Sequence, residues 1–87
     1  NSRLFSAYLR FDVIDRPGVL SEITKIFTKN SVSIKRLIQN PYKNKKMSSI
    51  IIITHLSKDI HLKKIINTVY KKSYIIKKPK IIRIDDC

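Results

Sequence analysis

The 87-residue chain contains a single cysteine, Cys87, at its very end. A disulfide framework and a cysteine-built metal site are both excluded. Tryptophan is absent, and glycine occurs once, at Gly18. One glycine cannot make a glycine-rich phosphate loop. The longest uninterrupted apolar run is the four isoleucines Ile50–Ile53, far short of the roughly 20 residues of a membrane-spanning helix. No secretory signal is visible at the start. Together with the lack of disulfides, this points to a reducing interior compartment, expected to be the cytoplasm. Acidic residues number six against 19 lysines and arginines. Asp85 and Asp86 adjoin at the tail, where little chain surrounds them to build an acid–base pocket. His55 and His61 are not at the i, i+4 spacing of a helical zinc pair, and no third ligand adjoins them. No serine has an evident histidine partner. Catalysis by this chain alone is not expected.

What is abundant is positive charge. The formal net charge is +13. Such a surface can serve nucleic acid or anionic lipid. It can equally arise from coding-sequence bias, since Ile, Lys and Asn are all over-represented. Lysine outnumbers arginine fourteen to five, whereas phosphate readers favour the planar guanidinium fork. The lysines are also spread along the chain rather than clustered with aromatics.

The length suits one domain, expected over 1–87 with its core in 7–86. The first residue is Asn1 rather than Met, and the chain is expected to be a C-terminal fragment of a larger enzyme. Residues 7–14 alternate: Ala7, Leu9, Phe11 and Val13 on one face, Tyr8, Arg10 and Asp12 on the other. This predicts a half-buried strand. Asp15-Arg16-Pro17-Gly18 breaks it, with Pro17 near a first helical position. Val19, Leu20, Ile23, Ile26 and Phe27 then follow helical spacing, ending at Asn30-Ser31, where Asn30 suits a left-handed cap. Val32–Gln39 predicts a second strand and Ser48–Thr54 a third, central and covered on both faces. Ser57 suits the N-cap of a second helix, with Asp59 in its first turn and Leu62, Ile65, Ile66 and Val69 along its buried face. Tyr74–Ile84 predicts a last strand, broken at Pro79 and therefore at an edge. The resulting order, βαββαβ, predicts an α+β, ferredoxin-like fold: a four-stranded antiparallel sheet with two helices on one face.

Gly18 stands where strand turns into helix. Lacking a Cβ, it lets a ligand or another backbone approach. The first-turn N–H groups of Val19 and Leu20 are free donors at the positive end of a helix, a geometry that suits a small carboxylate. Asp15 could cap these donors or meet a ligand ammonium. Both possibilities stand on the local residues, and a plain strand-to-helix turn is the simpler one.

Asp15-Arg16-Pro17-Gly18-Val19-Leu20, then Ile23 and Val32-Ser33-Ile34, resembles the signature of ACT domains, the βαββαβ amino-acid-sensing modules of metabolic enzymes. Tyr8-Leu9-Arg10-Phe11, Ser33-Ile34 through Ile38-Gln39, Ile53-Thr54-His55 and Pro79 with Ile82-Arg83-Ile84-Asp85 narrow it. They resemble the C-terminal ACT domain of bacterial homoserine dehydrogenases. That resemblance implies a parent oxidoreductase using NAD(P) to interconvert L-homoserine and L-aspartate 4-semialdehyde, with its catalytic domains elsewhere. It places the chain in threonine and methionine biosynthesis. The module itself carries no cofactor and no metal. It is implied to bind an amino acid, L-threonine foremost, between two modules of a homo-oligomer, and so to mediate allosteric feedback. The implied effector contacts are Val13, Asp15, Gly18, Val19, Leu20, Ser33 and Gln39.

The chain departs from the family pattern in three places. Ser33 replaces a common Asn and offers a shorter, less selective group. Ser31 replaces a common Gly. The connection holding Tyr42 is lysine-rich. Two other ACT assignments are compatible: a ligand-free dimerisation module, or the ACT domain of another amino-acid enzyme such as phosphoglycerate dehydrogenase or a stringent-response synthetase. A ferredoxin-like RNA-binding module fits the charge but not the third strand, which lacks the stacking aromatics such modules carry.

Overall fold

The first strand begins earlier than its alternation suggests. In the computed structural model, which describes residues 4–43 and 46–84, β1 runs Leu4–Ile14. It is followed by α1 (Val19–Lys29), β2 (Ile34–Pro41), β3 (Met47–Thr54), β4 (Ser57–Lys58), α2 (Asp59–Tyr70) and β5 (Lys80–Ile84). The expected ferredoxin-like plan is present: β2, β3, β1 and β5 are antiparallel neighbours in that order. The two-residue β4 is additional. Tyr8 pairs with Ile53 and Phe5 with Ser57, so the β3–β4 line carries one residue more than β1 over this stretch, as a bulge does.

Alternation along β1 drives the packing. Ala7, Leu9 and Phe11 are fully buried and Val13 is 1% exposed. Their β3 partners Ile50 and Ile52 are fully buried too. On this face lie Val19, Ile23, Ile26 and Phe27 of α1 and Leu62, Ile65 and Val69 of α2. Phe27 meets Phe11 edge-on, with ring centroids 6.0 Å apart and planes at 88°, the arrangement that the ring quadrupoles favour. Burying each such side chain is worth about 1.5–3 kcal/mol. The inner face also holds Thr54, whose Oγ1 accepts from the Ala7 N–H at 3.1 Å.

β3 is central, as its composition predicts, but it is not covered on both faces. Ile51 and Ile53 point away from the helices and are half-buried, because no second layer covers that side among the described residues. Tyr8 and Arg10 share this open face with them.

Three expected caps differ. Pro17 precedes the N-cap of α1, which is Gly18 itself. At the other end Asn30 has φ −99°, and Ser31 takes the left-handed conformation at φ 60°. Asn30 instead uses its side chain, donating from Nδ2 to the Ile26 carbonyl at 2.8 Å. The N-cap of α2 is Lys58. Ser57 lies in β4, one residue before that cap, and its hydroxyl donates to the His55 carbonyl at 2.8 Å. Asp59 is in the first turn of α2, as expected.

The last segment lies along β1 at an edge, as Pro79 requires. Ile75 bridges to Val13, and Lys80–Ile84 resumes the ladder against Ser6–Arg10. Lys77, Lys78 and Pro79 leave it between. Asp85, Asp86 and Cys87 lie outside the described residues, as do Asn44 and Lys45 in the lysine-rich connection. No helix among the described residues is long and apolar enough to cross a membrane.

Candidate effector site at the first strand–helix corner

Two distant parts of the chain pin the corner after β1. The Ile14 N–H donates to the Tyr74 carbonyl, and the Asp15 N–H donates to the Lys46 carbonyl, each at 2.8 Å. Beyond them the chain must reverse within a few residues, and Gly18 does so at φ 88°. No atom lies within 4 Å of where a Cβ would stand. Gly18 is therefore demanded by its backbone angle, and the space beside it is open.

Asp15 does not cap α1: the helix has no side-chain cap bond, and Asp15 is exposed. The free donors are displaced by one residue from the expected pair. The Val19 N–H reaches the Arg16 carbonyl at 3.3 Å. Those of Leu20 and Ser21 have no protein acceptor among the described residues.

Beside Gly18 is a cavity of about 330 Å³ lined by Arg16, Pro17, Gly18, Val19, Glu22 and Tyr74; Leu20 and Ser21 are not in its wall. Arg16, Glu22 and Tyr74 were not indicated by the sequence. Tyr74 reads there only as the start of a strand, and the fold brings it under α1. It is 6% exposed, and its hydroxyl has no hydrogen-bond partner. Burial raises its pKa well above the usual 10.0, and the nearby Glu22 carboxylate adds to the rise. Yet no bond of ordinary geometry joins Glu22 to the phenol.

The remaining expected contacts lie elsewhere. Val13 points into the core. Ser33 is exposed at the far end of α1, on a second cavity of about 360 Å³ shared with Thr24, Thr28, Ser31, Val32 and Ile34. The helix between has 11 residues, or about 16 Å at 1.5 Å per residue. Gly18 and Ser33 therefore cannot meet around one small ligand within a single chain. Gln39 sits on β2 and donates from Nε2 to the Ser48 Oγ at 3.4 Å. His55 is exposed and His61 half-buried, and no cluster of three metal-ligating side chains occurs among the described residues. On the open sheet face, β3 presents Met47, Ser49, Ile51 and Ile53, with no aromatic among them.

A split β-α-β sheet with two helices on one face defines the ferredoxin-like class of α+β folds. The family model for the ACT domain matches residues 7–72, and the chain belongs to that family. Within it, the chain is 31% identical over 80 residues to the homoserine dehydrogenase of Neisseria gonorrhoeae (strain ATCC 700825 / FA 1090), covering 92% of this chain and 18% of that protein. It is 39% identical over 51 residues to the homoserine dehydrogenase of Methylobacillus glycogenes, covering 58% and 12% respectively. The crystal structure of a homoserine dehydrogenase from Thiobacillus denitrificans superposes with a TM-score of 0.84 at 30% identity, over 95% of this chain and 18% of that one. The ACT domain from the GTP pyrophosphokinase of Chlorobium tepidum shares the fold at a TM-score of 0.70 and 16% identity, over 93% of this chain and 99% of that one. The chain thus spans less than a fifth of the homoserine dehydrogenases it matches.

Proposed function

We propose that the chain is the regulatory module of a homoserine dehydrogenase, a cytoplasmic oxidoreductase using NAD(P), and that it binds L-threonine or a related amino acid between two copies of itself. The observation that carries this reading is the separation of the two expected contact regions. Gly18 with the free amides of Leu20 and Ser21 lies at one end of α1, and Ser33 at the other. A ligand touching both kinds of surface needs one half from each of two modules. Asp15, exposed beside the corner, is available to a ligand ammonium, and Val19 lines the opening. Gln39 and Val13 lie on the inner sheet face either side of Ser48, outside the wall of the opening.

An effector held this way regulates by favouring one arrangement of paired modules over another. It must contact the two arrangements differently, or it shifts nothing. Coupling of this kind is typically about 1–3 kcal/mol, a change of roughly 5–150-fold in affinity or inhibition. The free edge of β2 and the half-covered outer face supply surface for pairing.

Calorimetric titration of the 87-residue chain with L-threonine tests this reading, alongside sedimentation to follow assembly. Saturable binding in the micromolar-to-millimolar range is expected, lost in Asp15→Ala and weakened in Ser33→Ala, with a shift in association state. Absence of heat and of any change in association at high ligand overturns it.

A further inference from the structure

The sheet face turned away from the helices is apolar across its four main strands. Register puts Arg36, Ile53, Tyr8 and Ile82 in one row and Ile38, Ile51, Arg10 and Lys80 in the next. Leu4 has the same parity on β1 and faces the same way. Ile82 is 59% exposed, Leu4 49% and Ile38 37%. Single exposed isoleucines need no explanation, but a continuous apolar band rimmed by charge marks an interaction surface. The stable covers for such a face are a helix or a second sheet.

The charges decide between them. Arg36 stands on one edge strand and Lys80 on the other, both exposed. Neither has an acidic partner among the described residues. Asp12 is the one acid that the described strands place on this face, and Tyr42, Arg10 and Lys77 already engage it. A second copy laid face to face would bring the same cations and no free carboxylate. Burying those cations without a counter-charge is strongly unfavourable. Of the two surfaces open to pairing, the β2 edge therefore suits a second copy and this face does not. Its complement is an apolar helix flanked by carboxylates.

Resting on the reading above, we propose that this face seats an acidic, amphipathic helix from the part of the same polypeptide outside this chain. More than four-fifths of each homoserine dehydrogenase covered to 18% lies outside the matched part, so the parent has ample chain to supply it. The apolar stripe of the helix covers Ile38, Ile51, Ile53, Tyr8 and Ile82, and its carboxylates meet Arg36 and Lys80. Tethering through a short flexible linker gives an effective concentration on the order of millimolar, so a modest interface stays closed. The Gly18 corner and the β2 edge remain free, and docking does not compete with pairing of modules.

Carbodiimide cross-linking of the full-length parent enzyme tests this, because the reagent joins an amine only to a carboxylate already against it. Lys80 is expected to couple, within one polypeptide, to an aspartate or glutamate outside residues 1–87, identified by peptide mass spectrometry. Hydroxyl-radical footprinting follows the apolar part: oxidation of Tyr8 should rise several-fold in an Arg36→Glu, Lys80→Glu double variant. Both side chains are exposed, so the substitutions leave the core of the module intact. Equal oxidation of Tyr8 in the two proteins overturns the proposal, as does coupling of Lys80 to a second copy alone or to nothing. A separate assay of L-homoserine oxidation keeps the two proposals apart. Coupling within one chain in a protein that lacks that activity supports the docked helix and overturns the parentage, and activity without coupling does the reverse.

Discussion

The Tyr42 hydroxyl donates to the Asp12 carboxylate, tying the β2–β3 connection to the middle of the open sheet face. Asp12 is 3% exposed, and its other partners are looser: Arg10 Nη2 at 3.4 Å and Lys77 Nζ at 4.0 Å. A buried carboxylate needs partners, since its desolvation is costly without them. Tyr42→Phe should therefore destabilise the fold by about 1–3 kcal/mol, read as a lower urea midpoint with an unchanged slope. A change below about 0.5 kcal/mol, the range of an ordinary surface substitution, would mean that Arg10 and Lys77 suffice.

The same bond predicts alkaline behaviour. Its hydrogen bond to Asp12, together with burial, raises the Tyr42 pKa above 10.0. Burial and then Glu22 raise that of Tyr74. An unfolded tyrosine releases its proton at lower pH than either of these, so above pH 10 the folded state holds more protons than the unfolded one and stability falls as pH rises. Below pH 10 their contribution is fully present. Denaturant unfolding at stepped pH should show a decline beginning near pH 10. It should be shallower in a Tyr42→Phe, Tyr74→Phe double variant, and an identical slope in both proteins would refute the assignment.

Gly18 and Ser31 both have positive φ, at 88° and 60°, and make opposite predictions. Gly18→Ala has room for its methyl group but not the angle, and should cost on the order of 1–2 kcal/mol. Ser31→Gly removes a strained side chain and should stabilise by about 0.5–1 kcal/mol. Thermal melts of the two variants moving in opposite directions would confirm the pair. A neutral Gly18→Ala would contradict it.

Neighbouring isoleucines on β3 should respond unequally. Ile52 is fully buried, and Ile52→Ala should cost about 2–5 kcal/mol. Ile51 faces outward and is half-buried, and Ile51→Ala should cost about 1 kcal/mol in the isolated module. Equal losses, measured by chemical unfolding at low protein concentration, would mean that the outer face is covered after all.

The inner face of β1, the buried stripes of both helices and the βαββαβ order were legible in the sequence because each rests on local periodicity. Ala7, Leu9, Phe11 and Val13 repeat every second residue, and Ile23, Ile26 and Phe27 every three or four. The caps were less legible. Asn30 and Ser31 are both tolerable in a left-handed position, and the choice between them fell to the hydrogen bond from the Asn30 side chain to Ile26. Ser57 reads as an N-cap, but its pairing with Phe5 claims it for the sheet first. At the corner Gly18 was visible, because a lone glycine at a strand–helix junction marks its own dihedral requirement. Glu22 and Tyr74 were not, since nothing in the pattern around either residue refers to the other.

The order of apolar and polar residues determined which elements form and which side of each faces inward, because burial of an alternating or helical stripe is decided within a few neighbouring positions. Tertiary structure alone decided that Tyr42 would serve Asp12, that Ile51 would stay half-exposed and that Tyr74 would close the cavity beside Gly18. Those contacts join residues far apart in the chain, and they exist only once strand register and helix docking have set the distances between them.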